Sequence, residues 1–259
     1  MSAEVWAYVA VTFGISWVGW IVCIALHTRE EYLLLGSAGP AFAAMILSRR
    51  REIGPLRSPL MRASLFVAVL AFGWAILCLN SSWMGSSNLS YRLNPWLLVC
   101  AIPPAWIVSG ACSQDLGVRN LLRRLVHPPQ RWSLIALLLF PAIMGIPAVT
   151  AYMLHQRLVF PARHGSATAG IAVAAVVFLY NVLFAAILEE PGWRGFLLDR
   201  LQIRRSPLVA TLMVWLPWAL WHAPLDYSRP GGFSLVMYLE VRVVFLIPLA
   251  IILTWLYNR

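Results

Sequence analysis

The chain has 259 residues, of which 61% are hydrophobic and 12% charged, and its mean hydropathy is +0.75. A soluble domain carries about 25% charged residues, so an ordinary cytosolic enzyme, a disordered chain and a disulfide-rich secreted domain are excluded and an integral membrane protein remains. The formal net charge of +10 comes from arginine alone, with no lysine, and the arginines sit in short loops between apolar runs rather than along one face, so no nucleic-acid partner is expected.

A membrane-crossing helix needs about 20 mostly apolar residues. In chain order the sequence predicts such segments over residues 5–26, 32–48, 60–79, 95–112, 132–154, 168–190, 207–225 and 235–257. The expected fold is an all-α, polytopic transmembrane bundle of about eight helices. The first run is too long for the apolar core of a signal peptide, and no basic stretch precedes it, so it reads as a retained helix. In the second run Gly36 and Gly39 suit close helix packing, and Pro40 a kink. Cys23, Cys78, Cys100 and Cys112 fall in or beside apolar runs without zinc-finger or redox spacing, and read as small hydrophobes.

With the N-terminus in the cytoplasm, fourteen arginines fall on the inner side and five on the outer, while Arg242 stays within the last span. Basic loops stay inside, which predicts a multi-pass protein of the cell membrane with both termini cytoplasmic. The whole chain, 1–259, reads as a single membrane domain with no linker and no repeat, the N-terminal helices occupying 1–167 and a distinct region following over 168–259.

A carboxylate at membrane depth costs several kcal/mol unless it is paired or hydrated, so such residues are candidate functional groups. Glu4, Glu30, Glu31, Glu52, Asp115 and Asp226 are expected at loops or helix ends, and Glu240 is expected to snorkel or pair. Glu189 and Glu190 differ, because they end the apolar run from Ala169 to Leu188 and lead into Pro191-Gly192-Trp193-Arg194-Gly195. Adjacent helical positions point about 100° apart, so the two acids serve different ends. Glu190 is four residues from Arg194 and can pair with it, whereas Glu189 points elsewhere. Pro191 removes a backbone donor and predicts a kink. The following run carries one histidine, His222, in Trp218-Ala-Leu-Trp221-His222. The turn between the two runs falls near residues 204–207, and Glu189 and His222 lie equally far from it, which predicts that antiparallel neighbours hold them at one level. Taken singly, a Glu–Arg pair can cap a span and a histidine can be a packing residue. Together, at matched depth beside a Pro-Gly step, they favour a site.

Glu189-Glu190-Pro191-Gly192-Trp193-Arg194-Gly195 resembles the Glu-Glu-x-x-x-Arg motif of the CPBP intramembrane proteases, which include the type II CAAX prenyl endopeptidases and bacteriocin-immunity proteins of the abortive-infection group. Trp218-x-x-x-His222 resembles the family's Phe-x-x-x-His motif, with tryptophan for phenylalanine, and Gly39-Pro40-Ala41 is similar to the start of many bacterial members. The resemblance covers residues 169–257 and makes 168–259 a CPBP-like catalytic region. The family's third motif, His-x-x-x-Asn or His-x-x-x-Asp on a further helix, has no counterpart before Arg259, so a fragment, a truncated product or a degenerate member is expected.

The resemblance implies endopeptidase chemistry within the membrane, on a site open to the cytoplasmic side. Glu189 would be the general base that activates water with His222, and Glu190, paired with Arg194, would stay ionised and orient the site. The third motif would stabilise the oxyanion. Relatives have been described as metalloproteases, with a glutamate mechanism as the competing view. The implied reaction requires no cofactor; zinc is admissible but disfavoured, because zinc catalysis wants three protein ligands and there is no His-Glu-x-x-His. The implied partners are the lipid bilayer and a membrane-associated peptide or protein substrate. The all-arginine, alanine- and tryptophan-rich composition suggests a bacterial source, where prenylated CAAX substrates are not expected. The alternatives are a non-catalytic immunity or scaffold protein of the same fold and a proton-coupled transporter, the latter opposed by the lack of an inverted repeat.

Overall fold

The computed structural model describes residues 2–49, 54, 58–84, 92–126, 138, 153, 167–228, 234, 237–238 and 240–259. Among these the regular elements are all helical. In chain order they are α1 (Ala3–Ala25), α2 (Leu33–Ser37), α3 (Gly39–Ser48), α4 (Pro59–Met84), α5 (Leu98–Gly110), α6 (Leu116–Leu122), α7 (167–202), α8 (Pro207–Trp221), α9 (Ala223–Ser228) and α10 (240–257).

Among the described residues five stretches are long and apolar enough to cross a membrane: Ala3–Ala25, Glu30–Ser48, Pro59–Trp83, Ala169–Gln202 and Pro207–Ser228. Two more apolar helices, Pro95–Gly110 and Val241–Tyr257, are shorter. The chain is a multi-pass membrane protein. Each expected segment therefore has a helical counterpart except 132–154, which lies outside the described residues apart from Leu138 and Met153. The short helix α6 was not anticipated from apolar length. It starts because the Asp115 carboxylate accepts from the N–H groups of Gly117 and Val118, at 2.9 and 3.1 Å, satisfying donors that the first turn leaves open.

The chain leaves α1 through His27, whose φ of 48° is left-handed. The Thr28 N–H returns to the Cys23 carbonyl and the His27 N–H to the Ile24 carbonyl, the paired closure that satisfies the last carbonyls of a helix. The second apolar run splits at Ala38, and Gly39 and Pro40 open α3, where a proline fits because its missing N–H would be unbonded anyway. The kink anticipated at Pro40 is thus a break between two helices.

Lipid tails are as apolar as leucine, so helices in a bilayer associate by close packing more than by the hydrophobic effect. The small residues sit accordingly. Ala41, Ala43 and Ala44 of α3 are fully buried. A Cβ on Gly39 would run into the Ser16 side chain and the Thr12 carbonyl of α1. A Cβ on Gly192 would stand 2.5 Å from both the Pro40 carbonyl carbon of α3 and the Tyr8 hydroxyl of α1. Helix α3 is thereby clamped between α1 and the middle of α7. On the far side of α7, α4 and α5 pair with each other, and α4 touches the first part of α7. Helix α8 packs on α10.

At 1.5 Å per residue, α7 is over 50 Å long, well beyond a hydrocarbon core of about 30 Å. The expected kink at Pro191 is not a break. Helical backbone runs through Pro191, with wide i→i+5 turns at Val182–Ala186 and Trp193–Leu198 on either side. Such turns absorb local mismatches in the hydrogen-bond ladder and recur at functional sites.

Candidate active site

Glu189, Glu190 and Arg194 lie on α7, between and within its wide turns, and His222 is the residue that ends α8. Trp218, one turn before His222, joins the two helices. Its indole Nε1–H donates to Glu189 Oε2 at 2.8 Å. Its backbone carbonyl lies 2.8 Å from His222 Nδ1. A carbonyl can only accept, so Nδ1 carries the hydrogen, and in the neutral ring Nε2 is the basic nitrogen. Its ring face covers the guanidinium of Arg194, whose Cζ is 4.2 Å from the ring centroid.

Arg194 is 2% exposed. Its Nη1 donates to Glu190 Oε1 at 2.8 Å, one helical turn back. Its Nε and Nη2 have no acceptor among the described residues, and the negative face of the Trp218 ring supplies attraction there instead. The two neighbouring acids therefore diverge: Glu190 is engaged by a cation on its own helix, and Glu189 by a neutral indole of the facing helix.

A wall of aromatic rings sets the imidazole. Trp221 packs edge-on against His222, with centroids 4.8 Å apart and planes at 77°. Trp221 also meets Trp20 of α1 and Trp193 of α7, and its carbonyl accepts from Trp17 Nε1 at 3.0 Å. Sequence spacing placed Glu189 and His222 at one level; in the structure Glu189 meets α8 at Trp218, one turn earlier.

Three features escaped the sequence reading. In the sequence Trp218 reads as an aromatic standing for phenylalanine, yet its N–H is the group that holds Glu189; the signal is the heteroatom that phenylalanine lacks. Asp226, expected at a loop or helix end, is 1% exposed. It is buried because Arg242, left unassigned within the last span, grips it with Nε at 2.8 Å and Nη2 at 2.6 Å from Oδ2. The expectation for the Glu240 side chain lies outside what is described. Tyr238 donates its hydroxyl to the Ala219 carbonyl at 2.9 Å, and Trp215 Nε1 donates to the Arg242 carbonyl at 2.7 Å, so the end of α8 is fastened from the α10 side.

Trp218→Phe keeps the ring but leaves Glu189 without its donor. A hydrogen bond to a charged group contributes about 1.5–3 kcal/mol, so thermal unfolding of this variant should begin several degrees lower. An unchanged unfolding temperature would show that the indole contact adds nothing.

Zinc needs three protein ligands in a catalytic site. Among the described residues no group of three His, Cys, Asp or Glu side chains stands close enough to hold a metal ion. Glu190 is moreover committed to Arg194.

Residues 171–259 match the family described as Type II CAAX prenyl endopeptidase Rce1-like. This stretch contains the whole cluster, from Glu189 to Arg242, so the resemblance carried by the motif is shown over the C-terminal third. The CAAX prenyl protease 2 of Methanococcus maripaludis is 33% identical over 91 residues, which cover 31% of this chain and 32% of that protein. The chain thus aligns with about a third of the length of that curated relative. No solved structure matches.

Proposed function

We propose that the protein is an intramembrane endopeptidase of the CAAX-protease type, acting on membrane-associated peptides or proteins. The observation that carries this reading is the coupling of Glu189 and His222 through Trp218, which presents an acid and an imidazole from two facing helices. Glu189 is the general base. It takes a proton from a water molecule as the oxygen adds to the scissile carbonyl carbon, and the proton passes to the leaving amine as the C–N bond breaks. His222 offers Nε2 as a second acceptor that orients the water. Glu190 and Arg194 form an ion pair on the helix that carries the base.

This scheme has no metal in it, a reading supported by the lack of three convergent His, Cys, Asp or Glu side chains among the described residues. The chain sits in the cell membrane with its N-terminus cytoplasmic and its site within the membrane, open to the cytoplasmic side, a reading supported by the arginine excess in the loops on that side.

The test is cleavage, read by mass spectrometry, of lipid-anchored peptides by the full chain in liposomes, with a prenylated CAAX peptide among them because that is the substrate the relative's name states. Cleavage should survive metal chelators. His222→Ala should slow it by about 10²-fold or more, the ordinary contribution of a positioned acid–base group. Flux of protons through the same liposomes with every peptide intact would support the transporter alternative instead.

A further inference from the structure

Where α1, α7 and α8 meet beside the α7–α8 turn, a cavity of about 300 Å³ opens whose lining includes none of Glu189, Glu190, Arg194, Trp218 or His222. Arg200, Arg204 and Arg205 line it, with Glu4 as the one acid in its wall. Glu4 Oε1 lies 2.8 Å from Arg200 Nε. Arg200 is further fixed by its Nη1 bond to the Phe196 carbonyl at 3.2 Å and by the Phe196 ring beneath its guanidinium. The acid is thereby spent on Arg200, and Arg204 and Arg205, both exposed, face no other carboxylate in the lining. The same turn leads into the first turn of α8, whose cap residue Ser206 makes no side-chain bond to it, so the positive end of the helix adds to the field.

Val5, Leu201, Ile203 and Met213 supply its apolar lining. Ile203 at the turn and Leu208 and Leu212 on the first turns of α8 are exposed. The height in the membrane follows from α1. Its 23 residues span about 35 Å, just enough to cross the bilayer, so its first turn, with Glu4, lies at the boundary of hydrocarbon and water. The cavity is therefore lined by both cationic and apolar side chains and set at headgroup depth.

We propose that this cavity binds the phosphate of an anionic phospholipid. Arg204 and Arg205 take the phosphate oxygens, a geometry that the planar guanidinium fork matches. Arg200, locked by Glu4 and Phe196, forms the wall behind them, and the acyl chains lie along Ile203, Leu208 and Leu212. Basic pockets between membrane helices recognise such headgroups in this way.

The test is native mass spectrometry of the full chain in detergent, titrated with phosphatidylglycerol or phosphatidylcholine at equal concentration. Phosphatidylglycerol should be retained at least tenfold more than phosphatidylcholine. The double substitution Arg204→Ala with Arg205→Ala, or Arg204→Gln with Arg205→Gln should the first fail to fold, should bring it down to the phosphatidylcholine level. Arg92→Ala, on a distant loop, should leave retention unchanged. Equal retention of the two lipids, or full retention by the double variant, overturns the proposal. So does displacement of phosphatidylglycerol by an equal concentration of inorganic phosphate, which would mark a simple anion site. The measurement needs no peptidase activity, so its outcome is independent of the proposed reaction.

Discussion

Glu189→Gln should lower peptide cleavage by about 10²- to 10⁴-fold, the range for loss of a general base, while the protein still folds and unfolds within a few degrees of the parent. The amide oxygen of glutamine still accepts from the Trp218 N–H, so the bond between α7 and α8 survives while the basicity does not. Its neighbour should behave in the opposite sense. Glu190→Gln removes the counter-charge of Arg194, whose side chain is only 3% exposed, and a buried charge without its partner destabilises strongly. Unfolding temperature and cleavage rate, measured on both variants, therefore separate two acids that are adjacent in sequence. Parental cleavage by Glu189→Gln would remove Glu189 from the reaction.

Breaking the Asp226–Arg242 pair should have the largest effect on stability. The Asp226 side chain is 2% exposed and that of Arg242 13%, so neither charge can return to solvent when the other is removed. Asp226→Asn or Arg242→Leu should each cost about 3–5 kcal/mol, a fall of ten degrees or so in Tm for a chain of this size. The combined Asp226→Leu and Arg242→Leu variant should recover much of that loss, since it leaves no unpaired charge behind. Single variants that unfold at the parental temperature would show that the pair is hydrated. The pair binds α9 to α10, and Trp215 bonds the Arg242 carbonyl from α8, so its loss should also loosen the support of His222.

The positions of the helices were largely legible because apolar length is a one-dimensional property. The runs at 5–26 and 60–79 became α1 and α4 with ends moved by a few residues. Where local chemistry decides, length alone failed. The Asp115 cap created α6, and Gly39-Pro40 divided a run that apolarity joins. At Pro191 helical backbone continues through the proline, with wide turns to either side.

The site shows the same division. Sequence spacing alone identified the Glu190–Arg194 pair, because residues four apart on one helix meet whatever surrounds them. It also singled out Glu189 and His222, because ionisable groups are costly at membrane depth and stand out from an apolar run. Which group each of them faces was decided only by the fold. The Trp218 N–H reaches Glu189 across 29 positions of chain, and Asp226 finds Arg242 across 16. Such partners are fixed by helix rotation and by how closely Gly192 lets α1 and α3 approach α7. Composition and periodicity determine which residues must be inside a membrane bundle; the mutual rotation of its helices, a property of no single segment, determines what they touch.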